Sequence, residues 1–180
     1  MVSGDIRDAR AIAEAIGVET ASIAATLASA HEPFRRRSKA KWSAAEQVEH
    51  LRLSVRPLNL SSLIPRFVLG IFGTARPPGR TYDEVVADYQ GRLARGAKAS
   101  RPFIPARLTG DEDLPRLLAA FEKGYAAYAA KLGGAEGPSL DSTRLPHPIL
   151  GRMSIREMAF FTLYHLRHHH ALIQREVQAS

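Results

Sequence analysis

The sequence predicts an all-α fold, a four-helix bundle with one long crossover, on three observations. A capping-box pattern, Ser or Thr with Glu three residues later, precedes helical periodicity four times. Prolines fall in the intervals between these segments or near their edges; only Pro115 lies inside one, in its first turn, where a missing N–H is tolerated. No run shows convincing strand alternation.

The elements follow in order. Asp5 to His31, rich in Ala and Ile, reads as a first helix with a break expected at Gly17. Ser43 and Glu46 open a second, carrying Val48, Leu51 and Val55 on one side. Thr81 with Glu84 leads into Val85, Val86 and Tyr89, and Thr109 with Glu112 into Leu117, Leu118 and Phe121. Ser154 with Glu157 starts the last helix, through Met158, Phe161 and His165. The interval from Pro57 to Arg80 is long enough to cross the whole body, even with a short extra helix between Leu58 and Phe72, whereas the one around residues 100–109 is short. That asymmetry predicts the crossover.

The chain's 180 residues, 45% of them hydrophobic, suffice for one well-buried core, so residues 1–180 are expected to form a single domain. No apolar run is expected to reach the roughly 20 residues a bilayer span requires. Asp5, Arg7, Asp8 and Arg10 interrupt any signal-peptide core, which makes the cytoplasm the expected location. Cysteine is absent, so the protein has neither disulfides nor thiolate ligands, and thiol chemistry would need a thiol from a second substrate. A net charge of +7 raises the question of an anionic partner. The densest basic cluster, Arg35, Arg36, Arg37, Lys39 and Lys41, reads as a solvated loop rather than a nucleic-acid patch.

Four of the seven histidines, His165, His168, His169 and His170, fall within the last helix. Residues four apart share a helix face, so His165 and His169 project together from the side that carries Met158, Phe161 and Leu172. Unpaired imidazoles there would each cost about 1–3 kcal/mol, whereas a metal ion uses both rings at once. A metal site wants at least three protein ligands, and His50, beside Val48 and Leu51 on the second helix, is the best third donor. Glu46, one turn before His50 on the same face, is a candidate catalytic group that takes a proton or orients a ligand, although its capping role is the simpler reading. Glu49 reads as solvent-facing, with a supporting role near the site as the alternative, and His168 and His170 as rim, solvent or supporting groups; the stiff turn of Pro146 and Pro148 either holds His147 at the pocket mouth or is structural, and Trp42 reads as a hydrophobic staple on its own helix's first turn or a neighbour.

Two stretches carry a family resemblance. Lys41-Trp42-Ser43-Ala44-Ala45-Glu46-Gln47-Val48-Glu49-His50-Leu51 resembles the second-helix signature of the DinB/YfiT-like superfamily, a Trp-Ser start leading to a His-Leu pair. His147-Pro148-Ile149-Leu150-Gly151-Arg152-Met153-Ser154, followed by His165-Leu166-Arg167-His168-His169, resembles that family's His-Pro-x-x-Gly turn and its last helix with histidines four apart. The resemblance implies an up-down-down-up four-helix bundle, often a homodimer, with a divalent metal on His50, His165 and His169. It also implies metal-dependent enzymes that use low-molecular-weight thiols such as mycothiol or bacillithiol, as transferases or isomerases, although fold and ligands do not fix a substrate.

A divalent ion on three neutral imidazoles keeps its charge, activating a bound thiol or water as nucleophile. The expected activity is therefore a metal-dependent reaction on a small molecule, with thiol transfer ahead of hydrolysis; the alternative is a non-catalytic metal-binding bundle in stress response. Zinc or nickel is the expected metal, with iron, cobalt or manganese also compatible. The apolar segment Phe67, Val68, Leu69, Ile71 and Phe72 is a candidate dimer contact, with burial inside the monomer as the alternative.

Overall fold

The computed structural model describes residues 8–36, 38, 41–61, 68, 70–73, 79–110, 113–135 and 137–178. In order, these form α1 (Ala9–Ala28), α2 (Ala44–Ser61), a 3-10 turn (Gly70–Phe72), α3 (Tyr82–Ala94), α4 (Leu114–Gly133), the short α5 (Ser139–Ser142), strands β1 (Arg144–His147) and β2 (Gly151–Ser154), and α6 (Ile155–Gln178). Four long helices make the bundle: α1 packs on α4 and α6, α2 packs on the same pair, and α3 lies against α6 from outside. Ile12, Ile16, Ile23 and Leu27 of α1 meet Leu51, Phe121, Tyr125, Phe160, Leu163 and Leu166 in one buried cluster. Each such side chain contributes about 1.5–3 kcal/mol on burial.

Three of the four capping boxes form as expected. Ser43 Oγ accepts from Glu46 N and Glu46 Oε2 from Ser43 N; Thr81 and Glu84, and Ser154 and Glu157, repeat the arrangement. The fourth does not cap its helix. α4 begins later, with the Asp113 carboxylate accepting from Arg116 N and Pro115 in the first turn, while Glu112 lies outside the described residues. Asp is as good an N-cap as Thr and stands directly before the periodic residues, so it sets the start.

Other boundaries differ too. α1 runs unbroken through Gly17, whose position faces open space and whose helix is held by the buried isoleucines on either side. It is also long and apolar enough to cross a bilayer, contrary to the expectation of no such run; here its isoleucine face is buried against α4 and α6. α2 continues past Pro57 to Ser61 because tertiary contacts hold that end: Leu58 packs against the core, Asn59 Nδ2 donates to Gly124 O, and Lys131 Nζ donates to Asn59 O. Arg56 and Pro57 are exposed, so the hydrogen bond that proline removes is lost next to solvent. In the apolar segment after it, Val68 and Ile71 are exposed and Phe72 packs against the core; residues 67 and 69 lie outside the described set, as do Arg37 and Lys39 of the basic cluster.

A small antiparallel hairpin, β1 with β2, precedes α6 where only a turn was expected. Leu145 pairs with Met153 and His147 with Gly151. Gly151 has φ +76°, a left-handed conformation that glycine adopts at no steric cost. Glu157 ties the hairpin end to the segment before α3: it accepts from Ser154 N, Arg80 N and the Arg80 guanidinium, and Arg80 also bonds Asp88.

Candidate metal centre

His50 comes from the middle of α2 and His165 and His169 from successive turns of α6, where those two helices pack together. All three are buried. One ring nitrogen from each lies within 4.8 Å of the other two, and His50 Nε2 is 3.2 Å from His165 Nε2. Ring centroids are 5.0 Å apart for His50 and His165, 4.7 Å for His50 and His169, and 4.5 Å for His165 and His169.

The far side of two rings is fixed. His50 Nδ1–H donates to the carbonyl of Phe103 at 2.7 Å, and His169 Nδ1–H donates to Gln47 Oε1 at 2.6 Å. With the proton held at Nδ1, each neutral ring presents its Nε2 lone pair inward, the tautomer that metal-binding histidines need. Burial is the main cause that lowers the proton affinity of all three rings; for His165 and His169 the neighbouring histidines lower it further, well below the ordinary imidazole value. The donors are therefore neutral at pH 7.

This set fits a divalent cation. Tetrahedral zinc with Zn–N bonds of about 2.0–2.1 Å separates its ligand nitrogens by roughly 3.3 Å. The 3.2 Å between the His50 and His165 Nε2 atoms matches that spacing already.

Aromatic rings surround the centre. Trp42 lies against His50 with centroids 4.9 Å apart, and Phe161 stacks on His165 at 5.0 Å and 23°. Trp42 thus packs on a histidine of the helix it precedes and also lines the cavity. The three histidines open onto a cavity of about 480 Å³, walled largely by apolar side chains that include Val55, Leu58, Tyr89, Phe103 and Phe161. Among the described residues no carboxylate lines it.

Glu46 is fully buried and does not line this cavity. Its Oε1 accepts from Arg36 Nη2 and Leu108 N, its Oε2 from Arg36 Nε and Ser43 N. Burial alone would raise its pKa, but these donors outweigh it and hold the carboxyl below the ordinary glutamate range. A carboxylate so engaged is a structural anchor between the loops before α2 and α4, in place of the catalytic role considered for it. Glu49 is ion-paired with Arg52.

The remaining histidines separate. His168 is half-buried on the cavity wall against His169, with centroids 5.2 Å apart. His170 points to α1, Nδ1 against Glu19 at 2.6 Å and Nε2 against Thr26 at 3.1 Å. His147 lines the cavity beside Phe161 at 4.3 Å. Gln47 and Phe103 were not singled out by sequence. Gln47 stands three residues before His50, a spacing that shares a face and could have flagged it, whereas the Phe103 carbonyl acts through its backbone and leaves no residue-type signal.

The family model for the DinB superfamily matches residues 17–173, a span that includes all three converging histidines. No curated protein and no solved structure gives a match.

Proposed function

This chain belongs to the DinB superfamily, and from that membership and the three converging imidazoles we propose that it is a divalent-metal-dependent enzyme that transfers a low-molecular-weight thiol to a small electrophile. The convergence carries the proposal: three buried rings with ring nitrogens within 4.8 Å of one another, two of them oriented by fixed hydrogen bonds, open onto an apolar cavity. His50, His165 and His169 would hold a divalent ion such as zinc or nickel, which when bound would supply positive charge that favours the thiolate form of a cosubstrate.

The chain's own residues point to thiol transfer ahead of hydrolysis. Water activation needs a positioned general base, a histidine or a carboxylate, and of the lining histidines outside the three, His147 already accepts two backbone N–H groups at Nδ1. Among the described residues no Asp or Glu lines this cavity, and Glu46 spends its oxygens on Arg36, Ser43 and Leu108. A thiol ionises more readily than water and needs less help. Trp42, Phe103 and Phe161 give the wall around the histidines an apolar character. Lys98, exposed at the cavity wall, offers a cation to a carboxylate on the incoming thiol.

Elemental analysis of protein purified without an affinity tag tests the metal. About one equivalent per chain is expected in the wild type, and close to none in His50→Ala or His165→Ala. Metal-loaded protein is then assayed with a panel of thiols and electrophiles. Product that depends on both metal and thiol supports transfer; bound metal without product under any pair supports a non-catalytic metal-binding bundle; metal-free wild type overturns the proposal.

A further inference from the structure

His147 sits on the cavity wall, outside the three converging histidines, in a geometry that fixes its proton. Its Nδ1 accepts from the backbone N–H of Ile149 at 3.2 Å and of Leu150 at 2.9 Å, closing the turn between β1 and β2. A neutral imidazole whose Nδ1 is an acceptor carries its hydrogen on Nε2. Burial, with Arg80 and Arg92 nearby, pulls the pKa of this ring down to about 4, so the neutral form prevails at pH 7. To act as a base it would have to take a second proton at Nδ1, where two N–H donors already point.

The other nitrogen is free. Nε2 has no hydrogen-bond partner among the described residues, and the half-buried ring borders the cavity next to Tyr89, Ile149 and Phe161. Phe161 in turn stacks on His165, so one aromatic side chain separates His147 from the candidate metal centre. A lone N–H set in a mostly apolar wall discriminates between ligands, because a ligand without an acceptor leaves it unpaired.

We propose that His147 is a ligand-binding residue of this cavity, its Nε2–H donating a hydrogen bond to the carbonyl oxygen of an apolar, aromatic-sized small molecule, and that it takes no part in proton transfer. This goes beyond the metal reading and stands independently of it, since the turn that fixes the ring involves none of the three converging histidines.

Acetophenone and ethylbenzene serve as probes, because they share a shape and differ in the carbonyl oxygen. In long-range ¹H–¹⁵N spectra of the labelled protein, the His147 proton is expected on Nε2. Acetophenone should shift that N–H resonance saturably, while ethylbenzene perturbs the apolar wall and leaves the N–H in place. His147→Asn keeps an amide oxygen for the turn and removes the donor at the Nε2 position; it should weaken acetophenone by about threefold to tenfold and leave ethylbenzene unchanged. Should that variant fail to fold, the wild-type spectra decide alone. A proton on Nδ1, the same N–H response to both probes, or equal weakening of both by His147→Asn overturns the proposal. Metal content measured on the same samples reports on the metal reading separately.

Discussion

At the scale of single residues, the candidate centre depends on side chains that do not touch the cavity space. Gln47 Oε1, 2.6 Å from His169 Nδ1, fixes which nitrogen of that ring carries the proton. Replacing it with leucine, of similar bulk but without an acceptor, frees the ring to rotate or change tautomer. Gln47→Leu is expected to weaken metal affinity about 10–100-fold with little change in fold, read by competition against a chromophoric chelator. Glu46 behaves in the opposite way. Its four hydrogen bonds are structural, so Glu46→Gln should lower unfolding free energy by about 2–3 kcal/mol in denaturant titrations and leave metal stoichiometry unchanged. Sequence distinguished these roles unevenly. The periodicity of α6 puts His165 and His169 on one face, and the apolar neighbours of His50 mark it as misplaced without a partner, so all three were legible from local pattern. The supports for those rings were not, because the Phe103 carbonyl reaches α2 from a loop 53 positions along the chain.

At the scale of elements, the capping boxes that made the helices legible also make them sensitive to acid. Burial raises the pKa of Glu157, but the Arg80 guanidinium and the N–H groups of Arg80 and Ser154 more than offset this and leave it below the ordinary value of 4.5. Between its folded and unfolded pKa values the unfolded chain binds more protons, so the carboxylate's contribution is complete above the ordinary value and is lost as pH falls through the folded one. The stability difference between wild type and Glu157→Gln should therefore hold constant from neutral pH down to the ordinary glutamate value, then narrow in more acidic denaturant titrations. Acid loss from the buried histidines is common to both proteins and cancels. The hairpin before α6 escaped the sequence reading for a physical reason: its strands are four residues long, one contains Pro146, and each offers a single buried apolar residue, Leu145 or Met153, too little alternation to register. Its turn depends on Gly151 at φ +76° with open space around it, so Gly151→Ala meets backbone strain alone and should cost about 1–2 kcal/mol, seen as a lower melting temperature.

At the scale of the whole molecule, the cavity belongs to no single element. α2 brings His50 and Val55, α3 brings Tyr89, the loop after α3 brings Phe103, the hairpin brings His147, and α6 brings Phe161, His165 and His169. Such a surface is invisible to local periodicity, because it exists only once folding has placed these segments side by side. The centre also lies at the packing seam between α2 and α6, two helices more than a hundred positions apart in sequence. A cation bound there would join both to one point and would bind the folded state alone, since the unfolded chain holds His50 far from the α6 pair. Ligand that binds only the native state stabilises it by about 2.7 kcal/mol at a free concentration 100 times its dissociation constant. For a chain of this length each kcal/mol moves the melting temperature by roughly 2–4 °C, which gives a rise of about 5–10 °C when zinc is added to metal-free protein. Chelation should reverse the rise. His165→Ala should abolish it without loss of helical signal, because removing one of the three imidazoles breaks the link between the two helices while the surrounding core of Leu51, Phe160 and Leu166 stays packed.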